Sequence, residues 1–272
     1  MYIFFFVFGL FWGSFLNNIA LRLENNEDFL FSRSKCPNCK KKLSWKELIP
    51  VLSFIIQKGR CLNCGFKIPL RYLVVEILTG VWVYLMSKSI IFNINFLSLV
   101  EFLFYFIFLS IIFVLALYDL KTFLIDDRFI IFGLFVFILF FLFKTYFNLP
   151  QRDFTYLLNY VFNFYGKIEP LISALLLSSL FLLLYIITKG EGLGFGDVKV
   201  VFLIGLFLRA GDALFSILVS SFLGSIYGFY LILKNKKFKQ PIPFVPFFFL
   251  GIMITIVFGY KLSKFYFDFF KL

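Results

Sequence analysis

The stretch GEGLGFGDVK, residues 190–199, lies between two strongly apolar segments and carries several glycines just before Asp197. A carboxylate at the beginning of a membrane-spanning segment is energetically costly, which makes Asp197 a candidate functional residue. Glycines allow the backbone to turn sharply and let another chain approach it closely. Because the GxGD pattern is short, an ordinary loop aspartate is the alternative interpretation.

A second acid occupies an equivalent place after another apolar run. Asp119 lies in the segment LYDLKTFLIDD, residues 117–127. We interpret Asp119 and Asp197 as one catalytic pair. Asp126 and Asp127 are alternative candidates for the place of Asp119 in this pair, because they belong to the same loop.

The composition indicates a polytopic membrane protein. Of 272 residues, 61% are hydrophobic, and the mean hydropathy is +0.94, whereas a soluble domain is only about half apolar. Several apolar runs reach the roughly 20 residues that cross a bilayer. The 46 phenylalanines are attributed to lipid-facing positions.

Histidine is absent from the sequence. This removes the commonest general base and the commonest metal ligand, so acid–base chemistry falls to Asp, Glu, Lys, Tyr or Cys. The formal net charge of +12 is interpreted as a topology signal, and we expect no nucleic-acid partner.

The expected fold is an all-α polytopic membrane protein with about eight transmembrane helices and a small cytoplasmic zinc-ribbon-like loop domain. The helices are predicted near residues 1–21, 72–92, 96–118, 128–147, 168–188, 198–209, 213–233 and 245–262. The sixth spans only about 18 Å at 1.5 Å per residue, which leaves the count open by one. Three regions are predicted, namely a first transmembrane helix (1–23), a cytoplasmic loop with all the cysteines (24–71) and a transmembrane core that carries both aspartates (72–272).

The first apolar segment is predicted to be a retained helix with its N-terminus outside, because no basic residue precedes it. Gly13 and Ser14 are expected to form a helix-packing face. Asn17 and Asn18 lie near the inner end of this helix, where we expect polar partners.

The segment 22–71 holds eleven Lys or Arg residues against four Asp or Glu residues. By the positive-inside rule it is cytoplasmic, and counting helices from it places both aspartates on the same side. Lys121 and Lys199 are interpreted as topology signals, although either could tune the aspartate pair.

All four cysteines fall in this loop, as CPNC (Cys36, Cys39) and CLNC (Cys61, Cys64), with 21 residues between the pairs. Four thiolates in paired CxxC motifs predict a closed structural zinc site. A loop of this size has little core, so the metal would supply much of its folding energy. Two disulfides or a redox CxxC are the alternatives, and a reducing cytoplasm disfavours the former.

Two carboxylates brought close together share a proton, because both cannot ionise cheaply. One can then act as base toward a water while the other acts as acid toward a carbonyl, as in aspartic proteases. Near the C-terminus, QPIPFVPFFFL (residues 240–250) reads either as an ordinary proline-rich helix start or as a re-entrant loop beside the site.

Together these pieces resemble the type IV prepilin leader peptidases, which are membrane aspartic proteases of the GxGD kind. The matching segments are GSFLNNIALRL (13–23), SRSKCPNCKKKLSWKELIPVLSF (32–54), KGRCLNCGFKIPLRYLVVEILTG (58–80), DLKTFLIDD (119–127), GLGFGDVK (192–199) and IPFVPFFFLG (242–251). They follow one another in the family's order over nearly the whole chain.

The resemblance implies that Asp119 and Asp197 are catalytic. It also implies removal of a short basic leader, after a glycine, from prepilins or pseudopilins at the cytoplasmic face of the bacterial inner membrane. Members with the cysteine region commonly N-methylate the new terminus with S-adenosylmethionine. Asp126 stands where the family usually has proline. Glu76 could serve binding in the methylation step or merely pair with Arg71.

Two rival readings remain. A presenilin-like intramembrane protease shares the GFGD motif but lacks the cysteine loop. A non-enzymatic scaffold or transporter with a zinc module would tolerate neutralisation of both aspartates, although a transporter would more often show acids at the bilayer midplane.

Overall fold

The computed structural model describes residues 2–25, 34–91, 95–149, 152, 154–155, 168–235 and 241–270. Within these residues the regular structure is helical, apart from two isolated β-bridges. The α-helices there are α1 (Tyr2–Glu24), α2 (Leu52–Ile56), α3 (Leu70–Ile90), α4 (Phe96–Thr122), α5 (Asp127–Tyr146), α6 (Glu169–Ile187), α7 (Phe195–Phe207), α8 (Ala210–Asn235) and α9 (Val245–Phe270). The predicted all-α class is confirmed.

Seven of the described helices are long and apolar enough to cross a membrane. The exceptions are α2 and α7, and α7 has 13 residues, or about 20 Å. The predicted eighth segment therefore exists as the short helix that the sequence suggested. It begins three residues earlier than predicted, at Phe195 rather than Val198, so Asp197 lies inside the first turn of α7.

The chain forms two compact units, Met1–Asn93 and Ile94–Leu272. In the first unit, α1 packs closely along α3. A Cβ atom on Gly13 would lie 2.7 Å from the hydroxyl of Thr79, and one on Gly9 would lie 2.8 Å from the Cα of Gly80. The predicted packing face at Gly13 is confirmed, because small residues let the two backbones approach.

The second unit has an aromatic core around α4. The rings of Phe108 and Phe207 stack with centroids 4.3 Å apart, and Phe140 stacks on Phe207 at 5.7 Å. All three side chains are fully buried. The attribution of the phenylalanines to lipid-facing positions was therefore wrong for these residues, which fill the space between α4, α5 and α7.

Buried ion pairs lie near the end of this core that is remote from Asp119. Glu101, near the start of α4, contacts Lys144 at 3.0 Å and Arg152 at 2.9 Å. Glu169, at the start of α6, contacts Arg209 at 2.9 Å. Since an unpaired buried charge is strongly destabilising, these contacts fix how the ends of α4, α5, α6 and α7 fit together.

A tight backbone contact between two helices of the second unit gives a stability prediction. A Cβ on Gly205 of α7 would lie 2.5 Å from the Cα of Ala174, which is backbone and cannot move aside. Gly205→Ala should therefore destabilise the protein by about 1–3 kcal/mol, as overpacked cores do. The measurement is the thermal unfolding midpoint of the purified protein in detergent.

Gly228→Ala in α8 is the matched control. Its new Cβ would meet only the flexible tip of Ile242, at 3.1 Å, and alanine is the better helix former. Its midpoint should stay unchanged or rise. Equal midpoints for the two variants would contradict the close contact at Gly205.

Candidate active site and metal centre

Asp119 lies in the last turn of α4, where the helix ends. Phe123 caps the helix in the left-handed region, with φ of 55°, and its N–H donates to the carbonyl of Asp119 at 3.0 Å. The Asp119 side chain is buried, with 6% of the residue exposed. Its Oδ2 accepts a hydrogen bond of 3.1 Å from the N–H of Val245.

Val245 reaches Asp119 because of the proline-rich stretch that precedes α9. Residues 241–244 form no regular secondary structure, and Pro241 and Pro243 restrict the backbone dihedral angles there. Helix α9 then begins at Val245, and a helix start carries N–H groups with no partner inside the helix. One of these groups serves the Asp119 carboxyl, so the C-terminal stretch lies beside this residue. Gln240 lies outside the described residues.

Asp197 is held at the start of α7 by its own helix. Its Oδ2 accepts a hydrogen bond of 3.2 Å from the N–H of Gly194, and its N–H donates to the carbonyl of Gly194 at 3.1 Å. This reciprocal cap sets the helix start at Phe195. The side chain is half-buried.

The structure brings the two aspartates into one site. Gly196 packs directly on the loop that follows α4, where a Cβ atom would lie 2.6 Å from the side chain of Ile125. Any larger residue would push the two segments apart. This contact holds the segments of Asp119 and Asp197 side by side, so the Asp119 charge influences the Asp197 carboxyl group.

The rival acids have other partners. Asp126 caps α5 through the N–H of Arg128 at 2.9 Å and contacts its guanidinium at 2.6 Å. Hydrogen bonds from Arg128 hold the pKa of Asp126 below its usual range. Asp127 is exposed and pairs with Lys199 at 2.6 Å. Lys199 therefore links α5 to α7 beside the aspartate pair, a role that the sequence did not specify.

An open, mostly apolar groove adjoins Asp197. Its volume is about 290 Å³. It lies between α5, α6 and α7 and is lined by Ile130, Leu134, Ser178, Val198, Lys199 and Phe202. One of its lining residues, Val198, directly follows Asp197 in the chain.

The four cysteines form one cluster in the first unit. The Sγ atoms of Cys36, Cys39, Cys61 and Cys64 all lie within 4.8 Å of one another, and all four are free thiols. The Sγ atoms of Cys36 and Cys64 are 3.8 Å apart. A tetrahedral zinc with bonds of about 2.3 Å separates its sulfurs by about 3.8 Å, so the cluster fits this metal.

The two CxxC turns have the same backbone design. The N–H of Lys40 donates to the carbonyl of Cys36 at 3.0 Å, and the N–H of Gly65 donates to that of Cys61 at 2.9 Å. Both donors have positive φ, of 57° and 71°. Glycine adopts this conformation at little cost, whereas the lysine is held there by its hairpin.

Backbone N–H groups lower the pKa of two of the four thiols, Cys39 and Cys61. The N–H of Lys41 is the main cause that lowers the pKa of Cys39 to about 6. The N–H of Cys64 is the main cause that lowers the pKa of Cys61. Because the thiolate is the form that binds metal, these turns favour a metal centre over buried inert cysteines.

Glu76 lies in α3 and is buried, with 6% of the residue exposed. Its Oε2 accepts a hydrogen bond of 2.8 Å from the N–H of Val51, and the Ser14 hydroxyl also bonds to the carboxyl. Arg71, the other partner considered for Glu76, pairs with Glu24 at 2.7 Å.

Comparison with known proteins covers both units. Residues 7–90 match the profile of the bacterial peptidase A24 N-terminal domain, and residues 106–229 match that of the type IV leader peptidase family. A relative from Klebsiella pneumoniae is 30% identical over 215 residues, which cover 75% of this chain and 84% of the relative. The chain belongs to the type IV leader peptidase family.

Other relatives in this peptidase family match almost end to end. One from Bacillus subtilis (strain 168) is 29% identical over 266 residues, 96% of each chain. One from Aeromonas salmonicida (strain A449) is 28% identical over 287 residues, 96% of this chain and 92% of the relative. These relatives and the one from Klebsiella are named prepilin leader peptidase/N-methyltransferase. No solved structure matches the chain significantly.

The family profiles divide the site residues between them. The N-terminal profile includes the four cysteines and Glu76, and the leader peptidase profile includes Asp119 and Asp197. The Val245 amide lies beyond both. Nearly every residue has a backbone N–H, so the sequence cannot show which one contacts Asp119. Only the three-dimensional arrangement identifies it.

The metal centre gives a second prediction. The chain has 4 cysteines, so alkylation counts the thiols of the cluster directly. We expect purified protein to contain one zinc per chain and to resist alkylation until a strong chelator is added. Metal and alkyl mass are read by elemental analysis and intact mass spectrometry.

Cys39→Ser is the companion variant for this experiment. It should retain less zinc and react at its three remaining thiols without chelator, because a three-thiolate site binds the metal less tightly. Alkylation at the same rate with and without chelator in the unsubstituted protein would contradict the metal centre.

Proposed function

We propose that this chain is a membrane-embedded aspartic endopeptidase. It removes the short basic leader from type IV prepilins or pseudopilins after a glycine, and it N-methylates the new terminal residue. The observation that carries the proposal is the contact of Gly196 with the Ile125 side chain, which brings the segments of Asp119 and Asp197 together. The names of the full-length relatives support the same activities.

The proposed chemistry needs one proton on the aspartate pair. Two neighbouring carboxyl groups that share a proton supply a base and an acid at the same time. The ionised member takes a proton from water, and the hydroxide attacks the carbonyl carbon of the scissile peptide. The protonated member gives its proton to the carbonyl oxygen. Collapse of the tetrahedral intermediate then breaks the C–N bond. The leaving nitrogen takes a proton from one aspartate, and a hydroxyl of the intermediate gives a proton to the other, which restores the singly protonated pair.

Backbone N–H groups orient the pair for this chemistry. Val245 donates to Oδ2 of Asp119, and Gly194 donates to Oδ2 of Asp197. Each carboxyl group is thereby held in one position, and its second oxygen is assigned to the water or the substrate. Such preorganisation removes the cost of arranging the acids during the reaction.

The groove beside Asp197 is assigned to the apolar helix of the substrate. Its lining is mainly aliphatic and aromatic, as a hydrophobic segment arriving from the lipid requires. Asp127 and Lys199, which pair at 2.6 Å, mark where the substrate leaves the apolar surface. We assign the scissile bond to the membrane–cytoplasm boundary of the bacterial inner membrane. The basic segment 22–71 and the helix count support a cytoplasmic position for this end of the helices.

The cysteine cluster is assigned a structural zinc. With four thiolates the metal has no open position, so it holds the loop together and takes no part in cleavage. The methyl donor assigned to the second activity is S-adenosylmethionine, which supplies an electrophilic methyl group. Both assignments concern the first unit, whereas the aspartate pair belongs to the second.

The test is cleavage of a co-expressed prepilin in membranes, read by the intact mass of the pilin. Asp119→Asn and Asp197→Asn should each reduce cleavage on the order of 10³-fold or more, because each removes a member of a catalytic unit. Both variants should insert at wild-type levels. Wild-type product should lack the leader and carry one added methyl group.

Asp127→Asn is the matched control, an exposed acid in the same loop that pairs with Lys199. It should retain cleavage within about tenfold of wild type, since surface ion pairs contribute little. Normal cleavage by either Asp119→Asn or Asp197→Asn would refute the catalytic assignment and favour the scaffold reading.

A further inference from the structure

An unpartnered amide lies inside the first unit, remote in sequence from the aspartates. Asn17 of α1 is fully buried, and neither its Oδ1 nor its Nδ2 has a hydrogen-bond partner among the described residues. The expectation that this asparagine finds a polar partner was therefore wrong. A buried amide with no partner is destabilising, which suggests that a ligand supplies the missing bonds.

Asn17 lies on the same helix face as the residues that contact Glu76. A Cβ on Gly13 would lie 3.1 Å from the Cα of Glu76, and the Ser14 hydroxyl bonds to the Glu76 carboxyl. Asn17 follows these residues by four and three positions. Side chains at those spacings lie above one another on a helix, so Asn17 continues the polar seam by one turn.

Glu76 places a buried carboxyl group in this seam. Its partners in the described residues are the Val51 N–H and the Ser14 hydroxyl, and no cation pairs with it there. Burial of an ionised carboxylate is costly unless an opposite charge accompanies it. The nearby Arg71 is engaged by Glu24.

An unusual turn fixes the orientation of the Glu76 carboxyl group. Val51 has φ of 62° and ψ of −53°, and the N–H of Leu52 bonds to the carbonyl of Pro50 at 2.6 Å. This is a γ-turn of the rare, strained kind, and a β-branched residue at positive φ is an outlier. Strain of this sort persists where the surroundings enforce it, and here it points the Val51 N–H at Glu76.

We propose that Asn17 and Glu76 form a binding site for a protonated primary amine. An ammonium group has three N–H donors, and the seam offers three acceptors, namely the Glu76 carboxylate, Oδ1 of Asn17 and the Ser14 hydroxyl oxygen. Glu76 balances the charge, and Asn17 gains the partner that it lacks. A hard metal ion fits less well, because magnesium and calcium require six or more oxygen ligands.

This inference rests on the proposed function for the identity of the amine. Methylation brings two primary amines to the protein, the new α-amino group of the cleaved pilin and the α-ammonium group of S-adenosylmethionine. The Asn17–Glu76 site has the chemistry to bind either one. It belongs to the unit that holds the cysteine cluster, whereas the peptide-cleaving pair belongs to the other unit.

Two variants test the site on the full-length, zinc-loaded protein in detergent. Glu76→Gln removes the charge but keeps an oxygen for the Val51 N–H. Asn17→Leu keeps the shape of the side chain without its polar atoms, so its unfolding midpoint should be unchanged or higher. Asn18→Leu, at the half-exposed neighbouring asparagine, is the matched control.

Binding is measured with two probes, each compared with a form that lacks the amine. The first is a peptide with the mature pilin N-terminus, against its N-acetylated form. The second is S-adenosylmethionine, against its analogue without the α-amino group. For one probe, the wild type and Asn18→Leu should prefer the free amine on the order of tenfold or more, as a charge-assisted hydrogen bond implies. Glu76→Gln and Asn17→Leu should lose that preference.

If the two variants lose the preference for the free-amine peptide, the site binds the amino group of the pilin. If they lose the preference for S-adenosylmethionine, the site binds the amino group of the methyl donor. If Glu76→Gln retains the wild-type preference for both probes, or the wild type has none, the proposal is overturned. If Asn17→Leu fails to fold, Glu76→Gln decides alone. Leader cleavage by the two variants should equal that of the wild type. If the wild type itself does not cleave, the proposed function is refuted, but the binding result still stands.

Discussion

The cost of placing a carboxylate away from water governs much of this structure. Asp119 is buried at the end of α4, and the N–H at the start of α9 meets it. Asp212, fully buried in α8, accepts two hydrogen bonds from Thr155 at 2.6 Å. Glu101 is met by two cations. In each case a distant segment supplies the compensating donor, so the acids determine which parts of the chain come together.

Local patterns were the most predictable part. The cysteine cluster followed from two CxxC motifs, because each turn is set by a few neighbouring residues. The approach of Asp119 to Asp197 followed from counting helices. The sequence could not reveal the Val245 N–H, because backbone donors are the same at every residue. It also missed the pairing of Glu101 with Arg152, 51 positions apart, because such partners are specified only by the packed helices.

The start of α7 shows how a small error in a boundary changes a chemical interpretation. Hydropathy placed the helix start at Val198 and left Asp197 in a loop. The reciprocal bonds with Gly194 instead include Asp197 in the first helical turn. Gly196 is then needed for contact with Ile125. The GFGD segment thus caps α7 and also packs closely on the loop that holds Ile125. Hydropathy measures neither requirement.

The hydrogen bond between Val245 and Asp119 also has a consequence for biosynthesis. The two residues are 126 positions apart, so most of the second unit must leave the ribosome and enter the membrane before the donor reaches its acceptor. A nascent chain that ends before α9 contains both aspartates but not the amide that orients the first of them. The Asp119 carboxyl group therefore gains its Val245 partner only after α9 has been inserted.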